Sequence, residues 1–178
     1  MSSEEAGRSV IGLEMSSFAF RSSTDAQHAY FVLLHTAAAP DTATWTQYVE
    51  VLAAWIARSN ATFHVFAVTD GGGPDSAQRR ALAEAFAKAR QGAMTHVFTT
   101  SSLTRGIVTA FRWVARARAV AHLPEAFPGV CELCNVPAPA VLADLAVLQA
   151  TLPPVALLTQ LRRAARDSSS SSRQRPSQ

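Results

Sequence analysis

Two segments of the chain carry residue types that could bind an anion or a small molecule. One runs from Asp70 to Ser76 and contains three consecutive glycines, and the other runs from Thr99 to Arg105. Glycines let the backbone approach a ligand closely, and hydroxyls, helix-start amides and a guanidinium suit an anion. The candidate binding residues are Asp70, Gly71, Gly72, Gly73, Ser101, Thr104 and Arg105.

A structural interpretation of these two segments competes with the binding interpretation. The glycines would form a flexible turn, and Thr104 would cap a helix. Neither segment contains a P-loop, and no G-x-G-x-x-G motif opens the first predicted helix. Nucleotide binding therefore lacks its usual sequence signature, while binding of another anion or small molecule stays open.

Cys131 and Cys134 have the C-x-x-C spacing of redox and zinc sites. A thioredoxin-like pair opens a helix after an early strand, whereas this pair lies late in the chain. A structural zinc site needs a further pair of ligands, which His122 alone does not supply. We interpret both cysteines as small apolar residues on a helix and predict no metal site and no cofactor.

The five histidines are scattered along the chain and form no recognised motif. His64 and His96 lie within runs of strand character, where a hydrogen-bonded structural role is the usual one. No H-x-x-x-H or H-E-x-x-H spacing occurs, and no G-x-S-x-G elbow supports a serine triad. We assign no catalytic residue. The sequence favours a protein that is not an enzyme, and an enzyme of unrecognised type is the less favoured alternative.

The elements that would position these residues alternate along the chain. Five apolar runs of strand length are predicted, with helical spacing between most of them. Long helical connections imply parallel neighbouring strands. The prediction is an α/β fold with a mixed, mostly parallel sheet of about five strands and helices packed on it, in the order β-β-α-β-α-β-α-β-α. The third helix is predicted to carry Leu103, Ile107, Phe111 and Val114 on one side.

One domain accounts for most of the chain. Residues 1–11 are expected to be a flexible leader, and residues 12–152 a single α/β domain that ends at a Pro-Pro break. Residues 153–166 predict a short amphipathic helix. The serine- and arginine-rich residues 167–178 cannot bury enough apolar surface to offset their ordering entropy, so we expect disorder there.

Charge and hydropathy limit the classes of partner. The formal net charge is +3, and residues 104–178 contain nine arginines and four acidic residues. Only one lysine, Lys88, is present, and no basic stripe is interleaved with aromatic residues, so the pattern does not favour nucleic-acid binding. The chain starts with a polar, acidic segment and has no apolar run long enough to span a bilayer. We expect a cytoplasmic protein without a membrane span.

The order of elements resembles the STAS domain, the fold of bacterial anti-sigma-factor antagonists. The resemblance covers roughly residues 12–152. Two local phrases, Val68-Thr69-Asp70-Gly71-Gly72 and Thr104-Arg105-Gly106-Ile107-Val108-Thr109-Ala110, look like those of uncharacterised bacterial STAS-like proteins. The resemblance implies a non-enzymatic regulatory or scaffold domain that acts through protein contacts.

The resemblance also implies a phosphorylation site at the start of the helix after the central strand, and Ser76 occupies that position. Asp70, three glycines and Pro74 separate Ser76 from the strand, whereas in the family the serine follows closely. A phosphate there would lie in the first turn of a helix, where the dipole stabilises negative charge. The favoured function is thus regulation through an unknown protein partner, with a homodimer left open, and the alternative is small-molecule or anion binding.

Overall fold

A five-stranded sheet lies at the centre of the structure, and its strands follow one another in chain order. The computed structural model describes residues 17–23, 30–58, 63–87, 93–115 and 118–172. The first two strands are antiparallel and the other neighbours are parallel, which confirms the predicted mixed α/β sheet. The strands are β1 (Phe18–Ser22), β2 (Tyr30–His35), β3 (Phe63–Thr69), β4 (Ala93–Phe98) and β5 (Ala119–His122).

Three crossover helices cover one face of this sheet. They are α1 (Thr42–Arg58), α2 (Ser76–Ala87) and α3 (Ser102–Ala115), and each joins two parallel strands. Crossovers between parallel strands are right-handed, and every strand here is added on the same side of the last, so all three helices fall on one face. The core of this face joins Phe31, Leu33 and Val65 of the sheet to Tyr48 and Leu52 of α1.

The C-terminal part of the chain covers the opposite face. After a short 3-10 turn at Pro124–Ala126 come α4 (Phe127–Leu133), α5 (Ala138–Gln149) and α6 (Ala156–Ser172). Side chains alternate between the two faces of a strand, so Tyr30, Val32 and Leu34 face these helices while their neighbours face α1. Buried leucines of α5 and α6 complete this second core, and the sheet is thus enclosed on both sides.

Helix α6 continues past its predicted end. We expected it to stop at Arg166 and the following serines to be disordered, whereas the helix reaches Ser172. Ser169 Oγ donates to the Ala165 carbonyl at 2.9 Å, so this hydroxyl is satisfied within the helix. The helix extends because its first turns are anchored in the core through Leu158 and Leu161. The predicted leader at 1–11 and the end of the tail at 173–178 lie outside the described residues.

Helix α3 buries a polar residue in its first turn. Leu103 is 74% exposed and Thr104 is buried, whereas Ile107 is 37% exposed and lines the space between α3 and the sheet. Thr104 Oγ1 donates to the Gly71 carbonyl at 3.2 Å, which fixes the helix with this polar residue inward. Leu103 is thus largely exposed although it belongs to the predicted apolar side of the helix. The side chains of Phe111 and Val114 lie outside the description.

Three polar side chains, Arg21 of β1, Tyr30 of β2 and Asp144 of α5, link the sheet to the helix. Asp144 Oδ1 lies 3.0 Å from Arg21 Nε, and Asp144 Oδ2 accepts from the Tyr30 hydroxyl at 2.8 Å. Burial, then the hydrogen bond to Asp144, raises the pKa of Tyr30 well above its usual value, so the hydroxyl stays protonated and donates. This group ties a helix to the edge of the sheet.

Among the described helices, none has the length and hydropathy that crossing a membrane requires.

Candidate functional site

The two predicted binding segments meet at the carboxyl edge of the parallel strands. Gly71 follows β3 and Ser101 follows β4, and a Cβ atom built on Gly71 would lie 3.8 Å from the Ser101 Cβ. Thr104 on α3 also bonds to the Gly71 carbonyl. This edge is where α/β proteins usually bind ligands. The structure therefore brings together the loops that the sequence singled out.

Asp70 does not point to a free binding site at this edge. Its two carboxylate oxygens accept hydrogen bonds from the backbone amides of Ala156 at 2.7 Å and Leu157 at 2.9 Å. These are the first amides of α6, which have no partner inside the helix. Asp70, which lies in a loop 86 residues before Ala156, therefore caps the N-terminus of α6. Its charge is used to hold the C-terminal helix on the sheet.

The glycine amides are also largely engaged. Gly71 N donates to Thr69 Oγ1 at 3.1 Å, and Gly72 N donates to the Thr36 carbonyl at 3.2 Å. Gly71 has a φ of 131°, a conformation that suits glycine. Of the three glycines in this loop, Gly73 is the one at which an added Cβ would meet no atom within 4 Å. The loop thus lacks the row of free amides that an anion cradle needs.

Ser101 and Arg105 are likewise occupied. Ser101 Oγ accepts from the Thr104 amide at 3.2 Å and so caps α3. Arg105 folds back and donates to the Thr100 carbonyl at 2.9 Å. Ser76 is exposed as the first residue of α2 and lies within the capping box in which Asp75 and Gln78 bond reciprocally. The predicted residues therefore lie together, but most of their polar groups stabilise the loops themselves.

A cavity of about 130 Å³ lies beneath this edge, between the sheet and the three crossover helices. Its floor is formed by three residues that pair across neighbouring strands: Leu33, Ala67 and Val97. The small side chain of Ala67 leaves room there. Most of the lining is apolar, and it extends to the Gly71–Pro74 loop. An apolar cavity of about 150 Å³ can hold benzene, so this one suits a molecule of similar size.

Two lining residues carry a buried polar atom with no hydrogen-bond partner among the described residues: His35 Nε2 and Thr95 Oγ1. His35 is 6% exposed, and its Nδ1 lies 3.1 Å from the Thr36 carbonyl. Burial lowers the pKa of His35, so the ring is neutral and its proton is on Nδ1, the atom that faces a carbonyl. Nε2 is therefore a bare acceptor on a residue that lines the cavity.

A second cluster lies on the other face of the sheet. His64 Nδ1 is 3.2 Å from His96 Nε2, and Cys134 Sγ is 3.3 Å from the same His96 nitrogen. On the far side, His96 Nδ1 lies 3.2 Å from His122 Nε2. Burial, followed by the neighbouring imidazoles, lowers the pKa of His96 to about 4, so at neutral pH the ring is uncharged. Neutral imidazole is the form that binds metal ions.

Sequence reasoning missed this cluster because three separate strands and a helix end supply it. A signal was present: β3 and β4 share the tripeptide His-Val-Phe, at His64–Phe66 and His96–Phe98. Their register pairs Phe66 with His96, so the two imidazoles are diagonal neighbours on one face. Cys134 directly follows α4, and the next residue, Asn135, has a left-handed conformation with φ 53°. Cys131 points into the core instead.

Comparison with known proteins adds little to these observations. No family model matches the chain, and no curated protein matches it. Among solved structures, apo-SiaC from Pseudomonas aeruginosa is similar, with 11% sequence identity and a TM-score of 0.47. The match covers 64% of this chain and 98% of SiaC. At this level of similarity the match carries no conclusion about function, and the STAS resemblance stays a prediction.

Proposed function

We propose that this chain is a small-molecule-binding regulatory domain, and that the cavity under the glycine loop takes a mostly apolar molecule with one hydrogen-bond donor. The observation that carries the proposal is the unpartnered Nε2 of His35, a buried acceptor on a residue that lines an apolar cavity. A hydroxyl on an aromatic ring fits both the acceptor and the lining. Anion binding is less favoured, because the loop amides and Arg105 already have partners.

The physical argument concerns the energy of a buried acceptor. Leaving such a group without a hydrogen bond costs roughly 1–3 kcal/mol, and a ligand that donates to it recovers that energy. A buried water needs two to four polar partners, which a lining of mostly carbon atoms does not offer. His35 pairs with Thr69 near the end of β3, whereas Thr95 pairs with Val65 nearer its start. The two unpartnered atoms therefore lie at different levels along the strands. A single ring therefore meets one of them.

Phenol and benzene are matched probes of this proposal, because they differ only in the hydroxyl. Both are expected to bind, and phenol more tightly by roughly three- to tenfold, which corresponds to one neutral hydrogen bond. Binding is measured by titration followed in the NMR spectra of the full chain. His35→Leu should abolish the preference for phenol while benzene still binds.

Ala67→Val supplies the steric control, since it adds volume at the cavity floor. It should weaken the binding of both probes, with the near-UV circular dichroism of the fold unchanged. Benzene and phenol binding equally well to wild type, or both binding unchanged to Ala67→Val, would contradict the proposal.

A second candidate function is contact with a protein partner through α3, and it is favoured by Leu103, which is 74% exposed, and by Ile107, which is 37% exposed and also lines the cavity. The two side chains are one turn apart and form a small apolar patch on the helix. These helices also carry positive charge, because Arg80 on α2 is exposed and Arg105 on α3 is partly exposed. The partner surface we propose is an amphipathic helix with an apolar stripe and acidic flanks. A phosphate on exposed Ser76 of α2 would weaken binding to acidic flanks.

Leu103→Glu with Ile107→Glu is the variant that tests this second candidate. A protein retained by immobilised wild-type chain should be lost from the double variant, since two carboxylates would oppose an acidic partner. Leu133→Glu is the matched control, because Leu133 is equally apolar and 84% exposed but lies at the end of α4. A partner lost equally from both variants, or from neither, would argue against a contact on α3.

A further inference from the structure

We propose that His64 Nδ1, His96 Nε2 and Cys134 Sγ form a zinc site with one coordination position open. The three atoms lie within 4.8 Å of one another. They belong to β3, β4 and the end of α4, on the sheet face opposite the cavity. The site is therefore independent of the proposed small-molecule function.

Two of the three ligand separations are close to those around a tetrahedral zinc ion, and the third is no more than 4.8 Å. Zinc lies about 2.0–2.1 Å from a histidine nitrogen and about 2.3 Å from a cysteine sulfur. Tetrahedral angles then separate two nitrogens by roughly 3.3 Å and a nitrogen from a sulfur by roughly 3.6 Å. The observed separations are 3.2 Å for the two nitrogens and 3.3 Å for nitrogen and sulfur. Small side-chain adjustments would admit the ion.

Hydrogen bonding alone explains the cluster poorly. One imidazole nitrogen has either a single proton or a single lone pair. His96 Nε2 is nevertheless approached by both His64 Nδ1 and Cys134 Sγ, so one of these contacts lacks a full hydrogen bond. An ion placed among the three atoms would satisfy all of them at once. This is the observation that separates a metal site from an ordinary buried polar chain.

The surroundings also resemble those of metal-binding histidines. Such a histidine commonly donates its other ring N–H to an acceptor that fixes the tautomer and the ring orientation. His96 Nδ1 has this partner in His122 Nε2 at 3.2 Å. His96 is buried, whereas His64 and Cys134 are partly exposed, so solvent reaches the ligand set. The open position would hold a water molecule or an atom of a bound ligand.

Ligand chemistry selects the class of metal. Two imidazoles and a thiolate are borderline to soft donors, which suit zinc, whereas calcium and magnesium require oxygen ligands. No carboxylate belongs to the cluster among the described residues. Cys131 is buried in the core three residues before Cys134 and takes no part in the site.

Cobalt substitution of the metal-free full-length chain tests the site directly. One equivalent of Co²⁺ should bind and show a thiolate-to-cobalt charge-transfer band, and Zn²⁺ should displace it. Cys134→Ser should abolish that band. His64→Ala should weaken Zn²⁺ binding by more than the roughly 10- to 100-fold loss expected when an outer hydrogen-bond partner is removed. His122→Gln should give that smaller loss.

Cys131→Ala is the matched control, because it removes the neighbouring thiol and should leave both metals bound with unchanged spectra. Circular dichroism of each metal-free variant reports whether it folds. If Cys134→Ser does not fold, His64→Ala still tests the site, because His64 is partly exposed. Cobalt binding without a thiolate band, or unchanged Zn²⁺ affinity in His64→Ala and Cys134→Ser, would overturn the proposal. Unchanged Zn²⁺ affinity in both variants would mean that other residues bind the metal.

Discussion

Asp144→Ala should lower the free energy of unfolding by about 3–5 kcal/mol, because it leaves the buried Arg21 guanidinium without its counter-charge. The two side chains are 7% and 17% exposed, so water compensates little for the loss. Tyr30 loses its acceptor in the same substitution. Equilibrium unfolding in urea, followed by circular dichroism, measures the difference.

Asp167→Ala is the control for this prediction. Asp167 also pairs with an arginine, Arg163, but those side chains are 73% and 86% exposed, and the charges are 3.8 Å apart. Exposed pairs contribute roughly 0–1 kcal/mol. A double substitution, Arg21→Met with Asp144→Leu, should recover much of the lost stability, since a buried ion pair can be replaced by apolar residues. Equal losses from Asp144→Ala and Asp167→Ala would show that the buried pair contributes no more than the exposed one.

Gly72→Ala should destabilise the fold by about 3 kcal/mol, at the upper end of what inserting one carbon into a packed region usually costs. A Cβ at Gly72 would lie 2.2 Å from the Ala38 carbonyl oxygen and 2.6 Å from that of Thr36. Both are backbone atoms, so no side-chain rotation can relieve the clash. The loop after β2 and the glycine loop must move apart, which breaks the bond from Gly72 N to Thr36 O.

Gly73→Ala is a closely matched control, one residue further along the same loop. No atom lies within 4 Å of its added Cβ, so stability should change by less than about 1 kcal/mol, with a gain if the unfolded chain is stiffened. The melting temperatures of the two variants make the comparison. A similar loss from both would mean that the loop tolerates no side chain for a reason other than the contact with the Ala38 carbonyl.

The sheet could be predicted because its signals are local. Each strand is a short apolar run, and the long connection from His35 to Phe63 requires a crossover helix between parallel neighbours. The capping box at Asp75 and Gln78 is equally local and consists of two hydrogen bonds of 2.9 and 2.8 Å. These features depend on residues that lie within a few positions of each other.

The features that escaped prediction depend on contacts between distant residues. The buried Thr104 bonds through its hydroxyl to the carbonyl of Gly71, 33 residues earlier. The engagement of Asp70 with α6 spans 86 residues, so the carboxylate looked free in the sequence. The convergence of Cys134 on His96 requires the register of β4 and the packing of α4, neither of which a spacing motif encodes.

Two adjacent residues of β4 show the same difficulty in predicting site residues from the sequence. Thr95 lines the cavity while His96 belongs to the histidine and cysteine cluster, because adjacent residues of a strand point to opposite faces. A shift of the register by one residue would exchange these two positions. The register itself is fixed by pairing with β3 along the whole strand. Residue spacing along the chain therefore could not assign either residue to its site.

The order of the strands also determines when each core can close during synthesis. Every strand pairs with the one made just before it, so the sheet and its three crossover helices can assemble progressively as the chain emerges from the ribosome. Within the described ranges, the other surface, with Tyr30, Phe66 and Phe98, is covered by helices that come after His122. A nascent chain that pauses at that point exposes a broad aromatic surface and is at risk of aggregation. Asp70, already in place at the sheet edge, offers the carboxylate on which the last helix begins.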